Sequence, residues 1–354
     1  MRDNTLRWLL LALVLLIGAC TYLPASRGLT VTNKTVVAEP KLQYLGAGGW
    51  LIHWRGEGVL LAPSLSNPGG FGARGIPPLW VKANPQRIDT FMPAASDVSM
   101  LLVGHAHYDH LLDVPRVLQI QAPNAIVYGS HTVAHILHAA HIDPARVRAL
   151  QPSEIANPRK PSAPGTWFYS GRETRKDGDS TGARPAGVIR AMPIQSEHAG
   201  HAFGINFIQG QYDDNLETLP KTLFGWRLGE VTVAWLIDLL DAQGKPVYRL
   251  HYQDSAATPP LGFPPLIADG KGIDVEILCA ASWDQVHAYP AALLRVTRPR
   301  TLILGHWENF FGNDPGQPAR TIPLQDYKGL LERLLVHKPL VPEPFSFVQL
   351  PPAQ

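Results

Sequence analysis

Four residues able to bind a metal, His105, His107, Asp109 and His110, fall within six positions of the stretch LLVGHAHYDHLLD. They follow Leu101-Leu102-Val103, an apolar run that reads as a buried strand ending at Gly104. In extended chain, side chains at i and i+2 share a face, so His105 and His107 can grip one ion. Asp109 and His110 lie past the turn, point elsewhere and can begin a second site. Imidazole and carboxylate together suit Zn²⁺ and tolerate Mn or Fe. Residues this close in sequence cannot close a catalytic site alone, so the remaining ligands must come from distant loops.

Three residues qualify because an apolar strand pattern runs into each: His198 in IRAMPIQSEHAGH, Asp254 in VYRLHYQDSA and His306 in TLILGHWENFF. The expected division places His105, His107 and His198 on one ion, and Asp109, His110 and His306 on the other. Asp254 bridges them.

HAHYDH resembles the HxHxDH motif of metallo-β-lactamase-fold hydrolases, and His198, Asp254 and His306 match that family's later His, Asp and His positions. YLGAGGWLIHWRGEGVLLAP is similar to the family's first hairpin, and the likeness runs from about residue 43 to 310. MPIQSEH resembles a P…H segment of the lactonase and N-acylphosphatidylethanolamine-hydrolysing phospholipase D branch. The resemblance implies an α+β, αββα sandwich of two mixed sheets flanked by helices. Two departures stand out. Ala62 takes the place of an aspartate that orients the site, and an aspartate, not a cysteine, occupies the bridging position.

Two divalent ions sharing a water lower its pKa toward neutrality, so a metal-bridging hydroxide is the expected nucleophile. Two divalent ions less Asp109, Asp254 and hydroxide leave a charge of about +1, which favours an anionic substrate. Asp109 or Asp254 can pass a proton to the leaving group, and His201 is a candidate substrate contact. Trp307, Phe310 and Phe311, directly after His306, are expected to wall an apolar pocket, with Trp283, Asp284 and His287 at its rim. A phosphodiester of a lipid-like or small anionic substrate comes first; a carboxylic ester or lactone is the runner-up. An oxygen-reducing di-iron protein of this fold would carry glutamate where His107 stands. A non-catalytic, metal-containing envelope binding module is the alternative outside the enzymes.

The elements positioning these residues follow an α/β rhythm. A hairpin is expected over 49–62, with RGEG as its turn. Strand 99–103 leads to helical LLDVPRVLQIQ, bent or capped at Pro115; AIVYGS is a strand and HTVAHILHAAHI a helix. His131, His135, His138 and His141 share one face of that helix, read as half-buried behind the sheet. Further strands are expected at 188–194, 203–209, 222–228, 231–237 and 247–252, then in IDVEILCAAS and RTLILGH, with YPAALLRVT helical between them. IPLQDYKGLLERLLVHK reads as an amphipathic helix. GRETRKDGDSTGARPAG reads as a surface loop.

The chain has 354 residues, 45% hydrophobic and 17% charged, with a net charge of +2. That is globular composition without the basic stripe nucleic acid requires. Arg2 and Arg7, an apolar run from Trp8 to Ile17, then Gly18-Ala19-Cys20 form a secretory signal pattern whose end resembles a lipobox. The expected organisation is a signal peptide over 1–19, a tether over 20–40 and one hydrolase domain over 41–354. Cys20 would carry a lipid, and Thr21 after it favours the outer membrane, facing the periplasm. Cys279, the only other cysteine, is read as a buried inert thiol.

Overall fold

A computed structural model describes residues 28–171, 187–201, 204–323, 325–334 and 338–353. The signal pattern, Cys20 and most of the loop expected after Gly171 lie outside these. In chain order the strands and helices are β1 (Val31–Thr32), β2 (Lys41–Gly46), β3 (Gly49–Trp54), β4 (Glu57–Leu61), α1 (Pro85–Phe91), β5 (Val98–Leu102), α2 (Tyr108–Leu111), α3 (Val114–Ile120), β6 (Ile126–Gly129), α4 (His131–Ala139) and β7 (Val147–Ala149). The second half adds β8 (Phe168–Tyr169), β9 (Ile189–Ser196), β10 (Thr232–Leu240), β11 (Pro246–Tyr252), β12 (Val275–Cys279), α5 (Ala291–Thr297), β13 (Thr301–Gly305), α6 (Tyr327–Arg333), β14 (Val341–Pro342) and β15 (Phe347–Val348).

The first sheet has the order β15-β2-β3-β4-β5-β6-β7 and the second β13-β12-β11-β10-β9-β8. Both are mixed, as expected of the αββα sandwich. β3 and β4 close through Arg55 and Gly56, both at positive φ, the geometry a two-residue hairpin requires. Period-two alternation then sorts the side chains. Trp50, Ile52, Leu61 and Leu102 face Trp235, Ile237 and Leu250 of the second sheet in one core. Leu51, Leu60 and Leu101 face outward onto Ile88, Val117, Val133, Ile136 and Leu137 of the flanking helices. Each such side chain contributes about 1.5–3 kcal/mol on full burial.

The helices begin where their sequence signals lie. The bend expected at Pro115 is the break between α2 and α3, with Pro115 in the first turn of α3, where its missing N–H costs nothing. At the start of α4, the Ser130 hydroxyl accepts from Val133 N at 3.2 Å. The Glu230 carboxylate accepts from His131 N, Thr132 N and the Thr132 hydroxyl at 2.5, 3.2 and 3.0 Å. Burial alone would raise the Glu230 carboxyl, but its own backbone N–H and these donors outweigh it and hold it below its usual value. A depressed carboxyl stabilises above its unfolded pKa, and that contribution is lost as pH falls through the folded value. Glu230→Gln is therefore expected to cost about 1 kcal/mol at neutral pH, and the gap from the parent should close in acid. Urea melts at pH 7 and pH 4 check this.

Several expectations fail. The segment read as a tether is attached from residue 28 onward: β1 pairs in parallel with β14, Leu29 is buried, and Phe347 N donates to Lys34 O at 2.8 Å. No strand forms over 204–209 or 222–228. Gly204 and Gly210 turn the first at positive φ, and a 3₁₀ turn at Leu223–Gly225 interrupts the second. α6 is shorter than the amphipathic pattern, beginning at the Asp326 cap, which accepts from Gly329 N.

Candidate metal centre

Chain direction collects the expected ligands. In the second sheet, β9, β11 and β13 run the same way, since β10 lies antiparallel between β9 and β11. His198, Asp254 and His306 follow these three strands, and His105 follows β5 of the first sheet. Gly104 O accepts from Val233 N at 2.9 Å, joining the two sheets at this edge. Arg249 on β11 grips Asp238 on β10 at 2.7 and 2.8 Å, fixing the register of the strand that presents Asp254.

Ligand atoms come within 4.8 Å of one another in three groups: His105–His107–His198, His105–His110–Asp254 and Asp109–His110–His306. The rings of His105, His107 and His198 form a tripod with centroids 4.6–4.7 Å apart. Asp254 Oδ2 lies 2.6 Å from His105 Nδ1, and its Oδ1 3.0 Å from His110 Nδ1. Asp109 Oδ2 lies 3.2 Å from His306 Nε2 and 3.4 Å from His110 Nε2. Asp254 thus stands between the two histidine sets.

Two close approaches depend on glycine. A Cβ on Gly104 would stand 2.1 Å from Asp254 Oδ2, and one on Gly48 would meet the His110 ring at 2.6 Å. Tyr252, two residues before Asp254 on the same strand face, donates to Asp254 Oδ1 at 2.5 Å and contacts Gly48 O at 2.9 Å. His306 sits at φ 51°, a conformation that costs about 1–3 kcal/mol. Its N–H is held by Tyr44 Oη at 2.8 Å and Ala47 O at 3.1 Å. Buried Glu308 accepts from Tyr44 and from Ala47 N, clamping the same turn. At Ala62 no carboxylate reaches the site; Tyr252, Tyr44 and Glu308 do the orienting.

The electrostatics suit cations. Burial, with neighbouring histidines, holds His107 and His198 well below the ordinary imidazole value, hence neutral as ligands must be. Burial alone would lower His110, but Asp254 and Asp109 override it and push it up to about 10. Burial would raise both carboxyls, but His110 leads the neighbours that hold Asp109 and Asp254 far below their usual range. Two buried carboxylates facing one another across imidazoles call for positive charge. His107 Nε2 meets Ile208 O at 2.9 Å and His198 Nδ1 meets Ala199 O at 2.6 Å, contacts that orient each ring. His105 Nε2 and His306 Nδ1 are buried without a partner. Buried polar atoms are ordinarily satisfied, so these orphaned nitrogens and the donor set fit divalent metal. The His/Asp cluster is able to hold metal ions.

The remaining candidates separate. His201 lies at the mouth, its ring 5.1 Å from that of His198, with Nδ1 accepting from Phe207 N at 3.2 Å. The Phe310 and His306 rings meet edge-on, centroids 5.0 Å apart, and the Phe311 ring lies 4.4 Å from that of Phe310. Trp307 and Trp283 are not pocket residues. The left-handed turn at His306 sends Trp307 into the core, where its N–H reaches Pro342 O at 2.9 Å. Trp283 is buried in the same core under the Arg333 guanidinium. Asp284 is exposed, and Gln285 instead reaches the mouth loop, accepting from Gly204 N at 2.7 Å. Away from the centre, His131 meets Glu230, while His135 and His138 hold Asn215 and Leu216 O and tie α4 to the 211–220 excursion. Burial raises the Cys279 thiol, as an inert core thiol requires.

Sequence reasoning missed Tyr252, Gly48, Gly104, Tyr44 and Glu308. The i, i+2 spacing of Tyr252 and Asp254 was the signal for the first; the rest depend on long-range closure.

No family model matches the chain. A UPF0173 metal-dependent hydrolase from Cupriavidus taiwanensis is 31% identical over 154 residues, covering 42% of this chain. The chain spans about half the length of that relative (51%). Among solved structures, Igni18, a metallo hydrolase from the archaeon Ignicoccus hospitalis, is 15% identical, with 87% of this chain and 97% of that one covered and a TM-score of 0.45. An isothiocyanate hydrolase from Delia radicum gut bacteria is 13% identical, with 89% and 100% covered and a TM-score of 0.49. At these TM-scores nothing further rests on the structural likenesses.

Proposed function

We propose that the chain is a metal-dependent hydrolase of the metallo-β-lactamase fold that cleaves an ester bond. A phosphodiester of a lipid-like or small anionic substrate is the favoured target. The supporting observation is the set of His and Asp side chains gathered at one sheet edge around imidazole nitrogens with no protein partner. His105, His107 and His198 would hold one ion, and Asp109, His110 and His306 the other. Asp254 would bridge them, with zinc the ion this donor set suits. Bound there, the ions supply Lewis acidity and a water of lowered pKa.

The chain's own residues do the rest. Tyr252 fixes one oxygen of Asp254 and leaves the other facing His105. Phe310 screens His306 from solvent. His201, with Nδ1 engaged by Phe207 N, has Nε2 left to meet the substrate. A lipid on Cys20 would hold the site at the periplasmic face of the outer membrane.

The test is metal analysis of the full chain with assays on bis-p-nitrophenyl phosphate, a simple p-nitrophenyl ester and a lactone. About two divalent ions per chain are expected, with hydrolysis lost on chelation and restored by Zn²⁺ or Mn²⁺. Turnover of the carboxylic ester or lactone alone would move the substrate class. Less than one ion per chain, with no hydrolysis in added metal, would leave a non-catalytic module.

A further inference from the structure

Six large apolar side chains stand in solvent on three loops around the metal centre: Phe71, Leu79, Trp80, Ile205, Phe207 and Phe224. Phe71 is fully exposed (104%), Trp80 is 68% exposed and Phe224 57%. Each loop is tied to the centre. Phe207 N donates to His201 Nδ1, and the next residue, Ile208, meets His107 through its carbonyl. The Phe71 loop is held by Gly75 N donating to Phe311 O at 2.8 Å, beside the Phe310 ring that covers His306. Trp80 bridges Thr222, and Leu223 N donates to Leu79 O at 3.0 Å, so Leu79, Trp80 and Phe224 form one patch. From there the chain runs to Leu228, whose carbonyl accepts from Ala106 N between His105 and His107. The other exposed large apolar residues, Val36, Ile120, Leu266 and Val296, belong to separate segments and need no explanation.

We propose that this rim docks on a phospholipid bilayer, the side chains entering the interfacial region so that the mouth of the metal centre faces lipid. The shape favours a fluid partner. These side chains are spread over separate loops, Phe71 alone on a tip at φ 53° and Leu79, Trp80 and Phe224 in one small patch, and do not form a continuous groove that a folded protein could match. The residue types are those of membrane interfaces, aromatic and leucine side chains beside Lys82 and Lys221, which are exposed next to Trp80 and Thr222. Asp213, Asp214 and Glu217 are exposed on the same excursion, so apolar insertion outweighs charge and zwitterionic lipid suffices. The lipid proposed at Cys20, outside the described residues, would give the chain its own means of reaching a bilayer. This docking rests on the membrane-surface part of the proposed function and is independent of which bond is cleaved.

The test places nitroxide labels on the full chain bound to phosphatidylcholine vesicles, using Phe71→Cys, Trp80→Cys and Phe224→Cys. Leu266→Cys and Val296→Cys serve as references, and the parent chain supplies the background from Cys20 and buried Cys279. Labels at 71, 80 and 224 are expected to collide with oxygen and to be several-fold less accessible to a water-soluble nickel chelate than those at 266 and 296. Nickel accessibility equal to the references at two of the three positions overturns the proposal. So does shielding from both oxygen and nickel, which marks a protein contact. Bis-p-nitrophenyl phosphate turnover by each variant in solution reads the hydrolytic function separately.

Discussion

Asp254→Asn is expected to lower hydrolysis by about 10²–10³-fold and to reduce bound metal from about two ions per chain to one or none. Among the described residues, Asp254 is a carboxylate that meets both histidine sets, His105 through Oδ2 and His110 through Oδ1. Asparagine keeps its volume, so the core around it is undisturbed and the change is one of charge. The lost charge removes the bridge, and a fixed dipole cannot hold two cations together. Several kcal/mol of transition-state stabilisation by the paired ions corresponds to the stated factor. Metal analysis beside the bis-p-nitrophenyl phosphate assay reads both effects. Turnover equal to the parent with two ions still bound would remove Asp254 from the bridging role. A folded control accompanies the variant: its far-ultraviolet spectrum should match the parent, since Tyr252 and the β10–β11 register do not depend on that charge.

The strands that carry the ligands were legible because each ends an apolar run at a polar residue, a pattern strong enough to survive without tertiary information. Leu101-Leu102-Val103 before Gly104 and Leu302-Ile303-Leu304 before Gly305 are both buried, so period and composition agree. Errors arose where local composition and long-range closure disagree. FGINFIQ alternates like a strand, yet Gly204 and Gly210 bend its described part so that Ile208 O can meet His107. Trp307 adjoins a ligand in sequence, but the backbone inverts at His306 and the indole enters the core. The tether failed for a related reason. Val31-Thr32 is too short a run to signal a strand, and its partner, Val341-Pro342, lies at the other end of the chain.

The orienting groups were harder still. Tyr44 and Glu308 are separated by 264 positions and meet only because β2 and the turn after β13 close on one another. No spacing rule connects them.

Gly104→Ala should remove metal while leaving the fold in place, and it is the sharper test of how the centre is built. The new methyl would lie 2.1–2.5 Å from Oδ2, Cγ and Cβ of Asp254, well inside van der Waals contact. Both backbones are held by hydrogen bonds, so any shift is costly. Gly104 is pinned to β10 by Val233 N, and Asp254 follows a strand locked to β10 by Arg249. Because Asp254 Cβ itself would lie 2.5 Å from the new methyl, rotating the side chain does not relieve the clash; the Asp254 backbone must shift and carry the carboxylate off His105, His110 and Tyr252 together. Metal content is expected to fall to one ion per chain or less, with turnover down by about 10²-fold or more, as for loss of the bridge itself. Gly58→Ala is the contrast. It crowds Val98 at 2.8 Å at the opposite end of the same sheet, so it should lower the melting temperature and spare the metal. If the two substitutions cost metal equally, the loss comes from general destabilisation and not from displacement of Asp254. If Gly104→Ala retains two ions, the 2.1 Å approach of the carboxylate to this backbone is not what positions the bridge.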